Sequence, residues 1–330
     1  MLKLTYDNFL KARAYIFAHA DEITRAWFDY HFEHQDTDVF MDVLSTYQHE
    51  NGGFGGLVYE FDYQGPCLKS TEIAIEYILG LTEKPSAQHP VIRKMMAYIL
   101  GQYLPEIGNW GESAVPEVND GVHCRWARFR GETPPPMTDD EECIQKYDAN
   151  EKVCFAAFVV FYSELVPEDM YRDIIKYPIA YIIRYYDEHS PVYDKAVLGS
   201  GPYDFEYFQW LVHCLKDKAV ADKLTAILCQ HPTAFMELDY TTSDTDYVHL
   251  PCDVVSSPHS VVYDTVKDLV DDSLEYRMQQ QSDNGRWLLG WSFGEGEGLC
   301  KLQVLCEASR TLSMLVKLKR FGRIDCEFNV

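Results

Sequence analysis

Gln48-His49-Glu50-Asn51-Gly52-Gly53-Phe54-Gly55-Gly56 follows a stretch with helical apolar spacing: Val39, Phe40, Val43, Leu44 and Tyr47. The same grammar returns twice: a glutamine, a short polar run, a glycine, then an aromatic. Gln102 to Trp110 ends in Gly108-Asn109-Trp110, and Gln281-Ser282-Asp283-Asn284-Gly285-Arg286-Trp287 comes near the end. Glycine supplies the positive φ that a tight reversal after a helix needs. A turn recurring between helical segments predicts stacked helical hairpins.

Working outward, apolar periodicity predicts helices over 5–32, 36–48, 69–82, 90–104, 146–165, 168–187, 203–217, 218–231, 260–281 and 299–319. Ser70-Thr71-Glu72 reads as a capping start, and Pro85, Pro90 and Pro167 mark turns. Strand candidates are limited to short pieces such as 246–250. Two long loops stand out, 105–143 with Pro134-Pro135-Pro136, and 236–260. Loops of that length in a compact domain are usually functional or disordered. No composition break divides the chain. The expectation is an all-α, single-domain α/α toroid over 1–330, a closed ring of helical hairpins.

Composition narrows the function classes. Hydrophobic residues make up 47% and aromatics 14%, enough for a packed core with aromatics left to line a cavity. The net charge of −23 argues against nucleic acid and anionic membranes as partners, since both need clustered Lys and Arg. The nearest basic run, Lys317-Leu318-Lys319-Arg320, falls on the last helix. Charges throughout residues 1–30 do not fit a signal peptide, and no apolar run is long enough to span a bilayer. Ten cysteines without a CxxC pair suit a reducing, cytoplasmic setting.

The Gln-to-Phe54 and Gln-to-Trp287 turns resemble the QW-type repeat of the terpenoid cyclase and protein prenyltransferase superfamily. The chain is also similar to a narrower group of bacterial prenyltransferase-like proteins. The features that match are the helix Arg25 to Phe32, the turn Tyr47 to Gly55, Glu60-Phe61-Asp62, His123 to Trp126, Pro251 to Pro258, and the closing turn Gln279 to Trp291. The resemblance implies an α/α toroid whose repeated glutamines and aromatics tie hairpins together. It implies no particular reaction.

Three chemistries bear on candidate residues. A protonating cyclase needs an Asp-x-Asp-Asp acid walled by aromatics. This chain offers only Asp36-Thr37-Asp38, which reads as a helix cap, and Asp244-Thr245-Asp246, which reads as surface acid. Protein prenyltransferases use zinc on Asp-x-Cys with a distant His. Here His249, Cys252, Asp253 and His259 have ligand types without a zinc spacing, so no cofactor is expected, with zinc or magnesium as the alternative. Glycan-processing toroids set carboxylates across a cleft with aromatic platforms. If the first and last hairpins are neighbours, Glu60, Asp62, Asp253 and Glu295 share one mouth with Trp126, Trp287 and Trp291. The leading expectation is a terpenoid-cyclase-like enzyme or binder of a hydrophobic, isoprenoid-type small molecule. Asp253 or Glu60 then acts as acid/base, His123 or His259 as partner, and Trp126, Trp287, Trp291, Phe54 and Tyr59 as walls. The alternatives are a carbohydrate-active enzyme on a glycan substrate and a non-catalytic interaction protein. Dinucleotide, P-loop and Gly-x-Ser-x-Gly motifs are absent, and Gly294 to Gly298, interleaved with acids, reads as a turn at the cleft rim. The oligomeric state has no signature in the sequence.

Overall fold

The computed structural model describes residues 1–132, 150–190 and 202–326. The proline run 134–136, Cys143, and the start of the helix expected over 146–165 lie outside these residues. The described chain is mostly helical.

Side chains that offer the backbone an alternative partner decide where helices start. The apolar stretch expected as one helix over 5–32 is two, α1 (Tyr6–His19) and α2 (Glu22–Asp29). The break falls at Asp21, whose carboxylate accepts from Thr24 N at 3.0 Å and so starts a new helix. Asp36 opens α3 (Thr37–Ser45) by accepting from the amides of Asp38 and Val39, the cap expected of it. Then come α4 (Leu68–Gly80), α5 (Pro90–Gln102), α6 (Asn150–Phe161) and α7 (Glu168–Tyr181). They are followed by α8 (Pro202–Cys214), α9 (Lys218–Leu228), the short α10 (Pro251–Val254), α11 (Tyr263–Gln279) and α12 (Glu297–Arg320).

The strand expected at 246–250 does not form. His249 O accepts from Glu237 N at 2.8 Å, but no ladder follows. The strand pair that does form among the described residues, β1 (Tyr103–Leu104) with β2 (Asn109–Trp110), is antiparallel and lies inside the second glutamine–aromatic segment.

Two of the three turns match bond for bond. Gln48 Nε2 donates to Gly52 O and to Val91 O, each at 3.0 Å. Gln281 Nε2 donates to Gly285 O at 2.8 Å and to Asn8 O at 3.1 Å. Phe54 N reaches Thr71 Oγ1 and Trp287 N reaches Thr311 Oγ1, both at 3.1 Å. The glycines have φ +93° and +91°, and a Cβ would sit 2.1 Å from Lys94 O at Gly52 and 2.3 Å from the Lys11 carbonyl carbon at Gly285. In each turn the glutamine ties one hairpin to a helix of another. In the second segment Gln102 is exposed, and only its tryptophan anchors, with Trp110 Nε1 donating to Ile99 O at 2.8 Å.

One apolar cluster runs from Leu4 to Ile324 and draws on every helix. Trp27 of α2 meets Tyr77 of α4. Helix α4 packs on α6, α6 on α8, and α8 on α10. Asp253 of α10 pairs with Lys317 of α12, and α12 packs on α1 and α2. Leu4 and Ile324 form a parallel bridge, so the two ends of the described chain meet. No helix among the described residues is long and apolar enough to cross a membrane.

Candidate functional site

Several ionisable side chains on these packed helices are at once reachable by water and strongly desolvated. Glu76 and Tyr77 of α4, Glu206 of α8, Asp253 of α10 and Arg310 of α12 each keep partial exposure. Burial is nonetheless the largest influence on the ionisation of each. A convex surface cannot combine the two, so these groups line a concave polar face. They also influence one another. Glu206 and Glu60 push Glu76 up, Lys317 and Arg320 act on Glu206, and Glu60 and Arg310 act on Tyr247.

Tyr207 organises one side of this face. Its Oη lies 2.6 Å from Glu72 Oε1 and 2.6 Å from Glu76 Oε1, one helical turn apart on α4. A phenol has one proton, so it donates to only one of them. The other contact is repulsive unless that carboxyl carries a proton of its own. Lys69 Nζ forms an ion pair with Glu72 Oε2 at 2.7 Å. The proton therefore belongs on Glu76. Electrostatics agree: burial first, then the charges of Glu206 and Glu60, raise Glu76 to about 7 even when the phenol donates to it and Lys69 lowers it. Burial also raises Glu206, while a hydrogen bond from Ser256 and the nearby Lys317 and Arg320 pull it back.

Asp253 behaves oppositely. Burial alone would raise it. Arg277 Nη2 at 2.7 Å and Lys317 Nζ at 3.1 Å, with Arg310 nearby, more than reverse this and hold it well below the carboxylate range. Its Oδ2 also accepts from Leu250 N at 3.2 Å. A carboxylate so held is a poor proton donor and a poor base, which is at odds with the acid/base role expected for it.

The other expected residues divide into three places. Glu60, Tyr59 and Trp291 belong with the concave face. Glu60 acts on Glu76, Tyr247 and Cys306, and Tyr59 Oη bonds Asp21 Oδ2 at 3.0 Å and Thr24 Oγ1 at 2.7 Å. Trp291 meets Tyr247 edge-on at 4.6 Å. Phe54 and Trp287 are core side chains, 0% and 2% exposed, and Trp287 Nε1 donates to Arg277 O. They anchor turns, where a cavity wall was expected. Asp62, His259 and Glu295 are exposed. The segment at His123 does pair with that at Glu60, through Cys124 N to Glu60 O and Asp62 N to Val122 O, both 2.7 Å. The His123 ring, however, bonds Gly121 O and lines a shallow depression of about 480 Å³ with Arg128 and Phe129. Half-exposed Trp126 packs edge-on against Phe293 beside Cys124.

Of the metal candidates, Cys252 is buried in the main core and Asp253 is occupied by its cations. Among the described residues no group of three or more His, Cys, Asp or Glu is arranged to hold a metal ion. The nine cysteines among those residues are free thiols.

Comparison with protein-family models finds no match, and comparison with curated proteins finds none.

The residues that sequence reading missed are Glu72, Glu76, Glu206, Tyr207, Arg277 and Arg310. A signal was present: Leu68 to Gly80 is apolar on most sides, yet carries two glutamates four residues apart. Charge on an otherwise buried helix needs a reason.

Proposed function

We propose that this chain is an acid/base enzyme acting on a polar, polyhydroxylated small molecule of glycan type, held in the concave interior of an α/α toroid. One observation carries it: a single tyrosine hydroxyl in contact with two carboxylates, which puts a proton on Glu76 near neutral pH. An acid with a pKa near the working pH both holds and releases its proton readily, the condition for general acid–base catalysis. Glu76 is the proton carrier, and Glu72, Lys69 and Tyr207 position it. Glu206 is the second carboxylate, the pairing that glycoside chemistry uses. Tyr77, Tyr247 and Trp291 offer faces for a sugar ring.

The ring arrangement is supported by the packing order α2–α4–α6–α8–α10–α12 and back to α2. It accords with the resemblance to prenyltransferase-like toroids and with a cytoplasmic setting for free thiols. An isoprenoid substrate is less well served, because ionised and hydrogen-bonded groups favour a polar guest over a hydrocarbon. In place of Asp253, the acid is Glu76.

The test is turnover of a panel of aryl glycosides and soluble polysaccharides by wild-type protein and by Glu76→Gln. A rate lowered roughly 10²–10⁴-fold in the variant, with the fold retained, is expected. Equal rates would refute the assignment of Glu76. A co-purifying isoprenoid in native mass spectra, with no glycan turnover, would return the cyclase-type reading to first place.

A further inference from the structure

Arg310 stands out among the cations of the interior. Four arginines have a buried Nε without a hydrogen-bond partner: Arg277, Arg286, Arg310 and Arg323. Three of them hold carboxylates through the rest of the guanidinium, Arg277 with Asp253, Arg286 with Glu307 and Arg323 with Asp271. The Arg310 side chain forms no hydrogen bond or ion pair among the described residues. Asp253, the carboxylate that acts on it most, is already engaged by Arg277 and Lys317. The guanidinium carbon of Arg310 lies 5.8 Å from the centroid of Trp291, which is itself braced by Tyr247.

A desolvated cation without an anion is costly to keep. A guanidinium with one face near an indole still presents its donor-bearing edge, and that fork matches two oxygens of one acid group. We infer that Arg310, backed by Trp291, is a subsite for an oxyanion of the ligand, a carboxylate or a phosphate monoester. The substrate of the proposed enzyme is then an acidic polyhydroxylated compound rather than a neutral one. The inference rests on the function proposed above for the same interior. The net charge of −23 repels anions at long range, so binding here depends on the built contact and not on bulk attraction.

The experiment is thermal unfolding and calorimetric titration of the full chain with glucuronate, inorganic phosphate and glucose, for wild type, Arg310→Gln and Arg310→Lys. Glucuronate or phosphate should stabilise the wild type, glucose should not, and binding should weaken about tenfold or more in Arg310→Gln. Glucuronate alone names a carboxylate, and phosphate alone a phosphate monoester. Without ligand, Arg310→Gln should unfold no earlier than wild type, because it removes an unpaired buried charge. Arg310→Lys keeps charge but loses the fork, and serves as the folded comparison if Arg310→Gln does not fold; it too should bind more weakly. No stabilisation by either acid, or equal binding in the variants, overturns the subsite. Glu76→Gln separates the two proposals: it should keep oxyanion binding whatever it does to turnover.

Discussion

Glu76 makes stability depend on pH in a direction that can be worked out. Its folded value of about 7 lies above the ordinary 4.5, so between these values the folded chain binds more protons than the unfolded chain. Its stabilising contribution is complete below about pH 4.5 and is lost as pH rises through about 7. A shift of this size corresponds to about 3 kcal/mol. Chemical denaturation from pH 4.5 to 8 should show that decline in wild type and a flatter curve in Glu76→Gln. Tyr207→Phe tests the shared hydroxyl. With the phenol donating to Glu72 and accepting from protonated Glu76, its loss should move the Glu76 titration downward, measurable by carboxyl carbon NMR; an upward shift would mean that the phenol donates to Glu76 instead. None of this was legible residue by residue. Asp253 drew attention through its neighbours Cys252 and His259, whereas its ionisation is set by Arg277 and Lys317, 24 and 64 positions away. Glu76 looks like one acid among fifty-two until Tyr207, 131 residues on, is placed against it.

Helical segments and their turns were far easier to read, because apolar spacing and caps are local. The helix limits of α3, α4 and α5 fall within a few residues of those the spacing predicts. Where the expectation over 5–32 failed, one capping aspartate outweighed continuous periodicity. The glutamine turns sharpen this into a contrast. Gln281→Ala should cost about 1–3 kcal/mol in urea denaturation, because two carbonyls lose their donor. Gln102→Ala, at an exposed glutamine of the same apparent grammar, should cost within about 0.5 kcal/mol of nothing. Gly285→Ala should be worse than either, at several times RT, roughly 2–4 kcal/mol, since positive φ and a backbone clash coincide there. Similar losses at Gln102 and Gln281 would show that the sequence pattern, and not the bonds, is what matters.

Across the whole molecule, the first and last helices are held by more than apolar packing. Arg323, 1% exposed, donates to Leu2 O at 2.9 Å and pairs with Asp271 and Glu275. Removing one partner of a buried ion pair typically costs 3–5 kcal/mol. Arg323→Met should therefore lower the unfolding midpoint and make residues near the start of the chain prone to early proteolysis. An unchanged midpoint would mean that the two ends do not share one cooperative unit. The same closure has a consequence in time. Gln281 meets Asn8 across 273 residues, and the apolar face of α1 waits for α12. At ribosomal speeds that wait is roughly a quarter of a minute to a minute. Until then that face lacks its final cover, and the nascent chain carries exposed apolar surface through most of its synthesis.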